Sequence, residues 1–304
     1  MKTITSHPYA TPADLGAMIK LLIEARPAER VAEFPSFEDV REFMGVESFQ
    51  TNTRLWEDVS GRLIGFAIRD GSHLMFEFIP HHDDVVAQIM AWAETNGRLV
   101  NENRLICGCS DSDTERMALL ELHGFVATAD CSLLMARPLH KPIPTPQLPS
   151  GFTIRHLEGE HEIEALVALH RAAFGTENMM AESRLAMIRV SDYEPELDLI
   201  AVDPDGIFAA YCICYINHEE NRLTGRNDGY TDPVATHPAF QRLGLAKALL
   251  LRGLSLLHQR GIDTAYLGTG GQNIAMQRAA AAVGFRVESE RIRFAKQLPQ
   301  VETK

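Results

Sequence analysis

A loop that carries one glycine, Gln241 to Ala246, is the part of the sequence whose residue types best suggest chemistry. It follows a short strand-like run, Tyr230 to Thr236, and it opens a leucine-rich helix. A glycine lets main-chain amides close on a bulky anion, and the N-terminus of a helix adds a favourable positive potential. The loop therefore predicts a cradle for a pyrophosphate group, although one glycine before a helix is also compatible with an ordinary turn.

The residues in and around this loop show which of the known phosphate-binding sequence motifs it resembles. Neither the Walker pattern Gly-x-x-x-x-Gly-Lys-Ser/Thr nor the Gly-x-Gly-x-x-Gly fingerprint of a Rossmann unit occurs here. Three other features do occur in order, namely Pro233 to Pro238 before the loop, Asn273 after it, and Gly284-Phe285 at the end of a short predicted helix. Together with the loop, this series resembles the C-terminal half of the GCN5-related N-acetyltransferase (GNAT) family.

The resemblance implies a binding site for acetyl-CoA between two splayed strands. Main-chain groups of Val234, Ala235 and Thr236 would hold the pantetheine arm and the acyl carbonyl. Asn273 would reach the pantetheine or the phosphates through its amide, and it is alternatively the N-cap of the helix that follows. The positive side chains of Arg242 and Lys247 would either add attraction for the phosphates or lie in solvent. The loop amides that would hold the pyrophosphate are those of Arg242, Leu243, Gly244, Leu245, Ala246 and Lys247.

Acetyl transfer to an amine requires the amine to lose a proton. A lysine-like amine has a pKa near 10.4, so its deprotonation at pH 7 costs about 4.6 kcal/mol, and a general base or a water chain is expected. Where the family often places a glutamate, this chain has Asp232. This shorter carboxylate would act through water, and Asp232-Pro233 is alternatively an ordinary turn at a strand edge.

The leaving thiolate needs a proton or another form of stabilisation. The family often supplies a tyrosine four residues before the Gly-Phe pair, and here that position is Ala280. Tyr230 is a candidate substitute because it lies on the same predicted strand face as Asp232, although packing also explains a tyrosine there. A thiol of pKa near 8.5 is a tolerable leaving group, so the missing tyrosine does not exclude transfer.

Composition limits the class of protein and its partners. The chain has 304 residues, of which 45% are hydrophobic and 23% charged, and this fits a globular protein with two domains. A net charge of −12 disfavours nucleic acid as a partner and favours a cationic substrate only weakly. Five cysteines without a disulfide framework, together with no signal peptide or membrane-length apolar run, predict a soluble cytoplasmic protein. The Cys-x-Cys pairs at 107–109 and 212–214 predict strand packing, so no metal is expected.

A proline-rich run from Pro138 to Gly151 divides the sequence into two parts with a faint repeat. Gly124-Phe125 in the first part corresponds to Gly284-Phe285 in the second, and a strand-like segment follows each. We therefore predict an α/β fold with two tandem GNAT-like domains, each a mixed central sheet flanked by helices, at residues 1–141 and 151–304 with a linker at 142–150. The first domain has Asp83-Asp84 and no glycine where pyrophosphate would bind, so we expect it not to bind acyl-CoA.

The sequence thus predicts an enzyme, an acetyl-CoA-dependent N-acetyltransferase in which a small primary amine attacks directly in a ternary complex. One alternative is a module that binds or senses acyl-CoA without catalysis, which Ala280 and the short carboxylate of Asp232 favour. Another is a structural protein in which both halves are inert. The expected partners are acetyl-CoA and a small-molecule amine, with no nucleic acid and no membrane, and a homodimer is left open. The identity of the amine does not follow from the fold.

Overall fold

The computed structural model describes residues 4–99, 103–177, 179–189 and 193–298. The chain divides into two units, of which unit 1 consists of Met1–Cys131 with Arg291–Lys304 and unit 2 consists of Ser132–Glu290. These bounds differ from the predicted domains 1–141 and 151–304 and from the linker 142–150, which stay predictions. They differ because residues 132–141 group with unit 2 and residues 291–304 with unit 1.

Helices and strands alternate along the first part of the chain, as an α/β fold requires. Its strands are β1 (Thr5–Pro8), β2 (Thr53–Glu57), β3 (Leu63–Asp70), β4 (His73–Phe78), β5 (Arg104–Ser110) and β6 (Val126–Pro138). Its helices are α1 (Pro12–Ala25), α2 (Phe37–Met44), α3 (Glu47–Thr51), α4 (Asp83–Leu99) and α5 (Thr114–Leu122).

Unit 1 is built on a mixed sheet. Strands β1, β2, β3 and β4 pair antiparallel in that order, and β4 then pairs with β5 in parallel. On the other side of β5 lies Arg291–Gln297, a segment from the far end of the chain, in an antiparallel pair. Helix α4 packs on β3, β4 and β5, and the core between helix and sheet includes Trp56, Ile89 and Phe294.

The second part of the chain repeats the alternation. Its strands are β7 (Thr153–His156), β8 (Asp198–Val202), β9 (Phe208–Ile213), β10 (Asp228–Tyr230), β11 (Val234–Thr236), β12 (Thr264–Gly270) and β13 (Arg286–Gln297). Its helices are α6 (Ile163–Phe174), α7 (Ala181–Ile188), α8 (His218–Thr224), α9 (Leu245–Gln259) and α10 (Ile274–Ala282).

Unit 2 contains two groups of paired strands. One is an antiparallel sheet in the order β11, β9, β8, β7. In the other, β12 pairs in parallel with β10 and antiparallel with Ser132–Pro138 of β6. Helix α6 packs on β9 and β11, and α9 packs on β8, β9 and β11. The two groups of strands part beside α9, and this separation creates the candidate site.

Helix α9 forms where the leucine spacing predicts it. Leu250, Leu254 and Leu257 recur at intervals of four and three residues, and all three are fully buried. The run Tyr230 to Thr236, by contrast, forms two short strands, β10 and β11, which pair with different neighbours. Among the described residues, no helix combines the length and the apolar character that crossing a membrane requires.

Candidate acyl-CoA site

Strands β10 and β11 follow each other in sequence but lie in different groups of strands. Tyr230 of β10 lies opposite Tyr266 of β12, whereas Ala235 of β11 lies opposite Tyr211 of β9. Between the two strands, the main-chain amide of Thr231 still donates to the carbonyl of Tyr266 over 2.9 Å. Beyond Thr231 the strands separate and leave a gap between β11 and β12. This is the splayed arrangement that the family resemblance implies.

β11 borders this gap with an edge that no strand of its own sheet covers, since it is the terminal strand of that sheet. On its other edge, the carbonyl of Pro233 and the amide of His237 bond to β9 over 3.1 and 2.9 Å. Hydrogen-bonding groups alternate along an antiparallel strand, so the main-chain groups of Val234 and Thr236 point toward the gap. Those of Ala235 point toward β9, and its side chain lies in the core.

Asp232 lies at the closed end of the gap. Its Oδ2 accepts the main-chain amide of Gly268 over 2.7 Å, so the carboxylate bridges the two separating strands. A Cβ atom at position 268 would lie 3.0 Å from the same oxygen, which means that a larger residue there would press on the carboxylate. A ligand whose reactive end reaches this point would meet a carboxylate that is already fixed in place.

The loop at the start of α9 has a backbone conformation that suits an anion. Arg242 and Gly244 have φ values of 64° and 82°, both in the left-handed region. Successive amides in such turns converge on a concave nest that binds anions. The first amides of an α-helix have no partner within the helix, and no side chain caps those of α9. Buried Leu245 anchors the helix while residues 241–244 are exposed, and the loop therefore presents its amides to solvent.

Asn273 and Ala280 are the two positions at or within α10 for which the sequence raised a question of function. Asn273 is the N-cap of α10, because its Oδ1 accepts the amide of Met276 over 3.1 Å. The N-cap alternative is confirmed, and contact of Asn273 with the cosubstrate stays a prediction. Position 280 of α10 is a fully buried alanine, and an alanine has no hydroxyl to bring to the gap.

The Tyr230 side chain has a specific partner that the sequence did not reveal. Its hydroxyl donates to Oε1 of Glu220 in α8, and its ring stacks on Tyr215 with centroids 4.8 Å apart. Burial, and then the negative charge of Glu220, raise the pKa of Tyr230 far above its usual value, so the hydroxyl keeps its proton at neutral pH. Glu220 is only 3% exposed. A short polar helix gives no sequence signal that one of its glutamates is buried.

A second buried polar cluster lies between α6, α7 and the sheet, and sequence reasoning missed it as well. Nδ1 of His170 lies 2.6 Å from the hydroxyl of Tyr211. Arg184 forms an ion pair with Asp198, which also accepts the hydroxyl of Tyr193 over 2.8 Å. Burial, and then the positive charge of Arg184, lower the pKa of His170, so its imidazole is neutral at pH 7.

This cluster lies next to the strand that borders the gap, since Tyr211 pairs with the middle residue of β11. His170, Arg184 and Tyr211 line a small cavity, with room for about one water molecule, together with the apolar residues Leu166 and Val167 of α6. Arg184 is buried and paired with Asp198, so the imidazole of His170, which is only half-buried, is the more accessible polar group of this cluster.

A family match covers the part of the chain that contains this site. Residues 163–285 match the family described as Acetyltransferase (GNAT) family. The mycothiol acetyltransferase of Thermobispora bispora is 30% identical over 158 residues, which cover 50% of this chain and 52% of that protein. The mycothiol acetyltransferase of Salinispora tropica is 31% identical over 156 residues, 50% of each chain. The chain thus spans about half the length of the curated relatives it matches.

Solved structures share the fold over nearly the whole chain. A tandem GNAT protein from the clavulanic acid biosynthesis pathway has a TM-score of 0.73 at 15% identity, covering 99% of this chain and 100% of its own. A GCN5-related N-acetyltransferase from Sphaerobacter thermophilus has a TM-score of 0.70 at 21% identity, and the match covers 98% of this chain and 97% of that one. These likenesses confirm the predicted α/β fold with two tandem GNAT-like domains. The match over residues 163–285 and the mycothiol acetyltransferase relatives support assignment of this part of the chain to the acetyltransferase (GNAT) family.

Proposed function

We propose that unit 2 binds acetyl-CoA in the gap between β11 and β12 and transfers the acetyl group to a primary amine of a small molecule. One observation carries this proposal, the placement of an uncapped helix N-terminus at the end of a gap whose edge strand has open hydrogen-bonding groups. The pyrophosphate would lie on the amides of residues 242–247. The pantetheine arm would extend the β11 edge through Val234 and Thr236, and the acetyl group would lie near Asp232.

In the proposed reaction the amine nitrogen attacks the acetyl carbonyl directly within a ternary complex. A C–N bond forms, the C–S bond breaks, and CoA leaves as a thiolate that takes up a proton. The amine must first lose a proton, and Asp232 is the proposed base. The carboxylate accepts the amide of Gly268 and is thereby held in place, and it would take the proton through a bridging water.

Tyr230 was the candidate acid for the thiolate, and its surroundings favour a different role. Its hydroxyl is donated to Glu220, and its raised pKa makes it a poor proton donor to a thiolate with a conjugate-acid pKa near 8.5. We propose that the thiolate leaves without help from Tyr230 and that Tyr230 instead holds Glu220. Replacing Tyr230 by Phe should then lower kcat by less than about tenfold, whereas loss of a true acid costs about 100-fold or more.

The acceptor follows from the relatives and from the buried cluster beside β11. The matched relatives are named mycothiol acetyltransferases, so a molecule of that class is the first acceptor to test beside simple amines. His170 contacts Tyr211, which pairs with the middle residue of β11. Its neutral imidazole favours an acceptor with a hydroxyl group in addition to its amine.

A non-catalytic role in binding or sensing acyl-CoA is the second candidate. Two observations favour it, the alanine at position 280, which has no hydroxyl, and the hydrogen bond that commits the Tyr230 hydroxyl to Glu220. In that case the protein would bind acetyl-CoA as tightly as an enzyme does but would release no thiol with any amine.

The test is CoA release from acetyl-CoA measured over a panel of small amines that includes the mycothiol class. We expect release with at least one acceptor, and a fall of about 100-fold or more in the rate for Asp232→Asn. Asp203→Asn is the matched control, because Asp203 also accepts main-chain amides, in a turn before β9 at 3.0 and 2.8 Å. Binding of acetyl-CoA without release would favour the sensing role, and no binding would refute both.

A further inference from the structure

Unit 1 contains a cavity that the proposed reaction does not use. In the described part of unit 1, the parallel strands β4 and β5 pair at His73 and Ile106, and beyond this pair a cavity lies between them. It has room for about one or two water molecules. That volume is far too small for a nucleotide or a pantetheine arm, so any occupant must be small.

Positive charge dominates the lining of this cavity. Four arginines line it, and Glu33 is the single carboxylate among its described lining residues. Glu33 is already paired, since both of its carboxylate oxygens accept bonds of 3.0 and 3.1 Å from Arg30. The four arginines are Arg26, Arg30, Arg116 and Arg291.

Two of these arginines share one carboxylate partner, Glu77. Glu77 accepts bonds from Arg26 over 2.6 Å and from Arg116 over 2.9 Å. Burial opposes ionisation of Glu77, but the two guanidinium groups outweigh it and hold the pKa of Glu77 below its usual value. Arg30, by contrast, pairs with Asp113 as well as with Glu33, so the four arginines and these three carboxylates together keep one positive charge in excess.

Arg291 has no carboxylate partner within ion-pair distance among the described residues. It donates to the carbonyl of Gly108 over 2.6 Å, and its guanidinium carbon lies 5.5 Å from the centre of the Phe34 ring. A guanidinium has five N–H donors, so most of its capacity is unused. Burial, and then repulsion from Arg116 and Arg26, lower the pKa of Arg291 to about 10.

The backbone is shaped to accept the Arg291 side chain at this place. A Cβ atom at Gly108 would lie 2.3 Å from Nε of Arg291, closer than any non-bonded contact allows. Glycine at 108, between the buried Cys107 and Cys109, is therefore required for the guanidinium to lie over β5. An uncompensated charge held in a fitted position is costly unless a counter-charge joins it.

We propose that this cavity is a binding site for a small monovalent anion, of the size of a carboxylate group or a halide ion, held by Arg291 and Arg116. The site lies in unit 1 and is independent of the reaction proposed for unit 2. A carboxylate would use the planar fork of donors on Arg291 and the N–H groups of Arg116 that do not bond Glu77 or Phe76, whereas a halide would use single N–H groups. Bound anion would offset the repulsion among the arginines and stabilise unit 1.

Saturation-transfer NMR on the proton of sodium formate tests the site with the full chain in chloride-free buffer. We expect transfer to formate in the wild-type protein and in Arg293→Gln, a matched control that removes one positive charge from an exposed position of the same strand. Arg291→Gln should weaken formate binding by at least about tenfold, the factor that corresponds to 1.4 kcal/mol. Competition by chloride would identify a halide as an occupant, and its absence would identify a carboxylate.

Absence of saturation transfer in the wild-type protein would overturn the proposal, and so would equal transfer in Arg291→Gln. If Arg291→Gln does not fold, Gly108→Ala provides the same test, because its Cβ atom displaces the guanidinium while the charge is kept. The proposal requires that Gly108→Ala also lose the formate signal.

Discussion

Replacement of Gly244 by alanine tests the pyrophosphate cradle through its backbone. Gly244 has φ 82° and ψ 8°, and the nearest atoms to an added Cβ lie beyond 4 Å, so the change costs strain and no clash. Holding a residue other than glycine in the left-handed region costs about 1–2 kcal/mol. The loop either keeps its shape, with a methyl group in the space meant for phosphate, or relaxes and disperses its amides. In both cases CoA affinity should fall by about tenfold or more, since 1.4 kcal/mol corresponds to a factor of ten.

Gly261→Ala is the control for this change, because Gly261 follows the opposite end of the same helix. It has φ 78°, and again no heavy atom lies within 4 Å of the added Cβ. Urea unfolding should show a similar loss of about 1–2 kcal/mol for both variants. Calorimetric titration with CoA should show weaker binding for Gly244→Ala alone. Equal CoA affinity in the two variants would refute the assignment of the loop.

Three further changes test other parts of the account. Asn273→Ala removes the cap of α10 and should lower the free energy of unfolding by about 1 kcal/mol in urea titrations. Glu77→Gln leaves Arg26 and Arg116 without a counter-charge and should cost about 3–5 kcal/mol. Because the folded pKa of Glu77 lies below its unfolded value, its stabilisation is present above about pH 4.5 and is lost as pH falls through the folded pKa. Glu77→Gln should lack this pH-dependent part of the stability, which acid unfolding followed by circular dichroism would show. Arg242→Gly relieves a left-handed φ but removes a charge, so stability should rise by about 1 kcal/mol while the affinity for CoA falls at low salt.

Features that depend on local sequence could be predicted closely. Helix α6 begins and ends where the spacing of apolar residues places it, at Ile163 and Phe174. The position of Asn273 directly before a predicted helix gives the N-cap as one of its two alternatives, and its side chain does accept an amide three residues later. The left-handed glycine before α9 also follows from local chemistry, since other residues adopt that conformation only at a cost.

Features that depend on distant partners could not be predicted. The run Tyr230 to Thr236 gave no sign that it divides, because the choice between β12 and β9 as neighbour is made by residues far away in sequence. The same holds for Ser132–Pro138 and Arg291–Gln297, whose alternation predicts strands but does not say which sheet they join. Burial of Glu220 is likewise a tertiary property that its own helix does not encode.

A crystal structure of the protein with CoA is the most direct test of the central claim. The account predicts diphosphate oxygens within hydrogen-bond distance of the amides of residues 242–247, pantetheine along the open edge of β11, and the thiol near Asp232. CoA bound anywhere other than between β11 and β12 would contradict it.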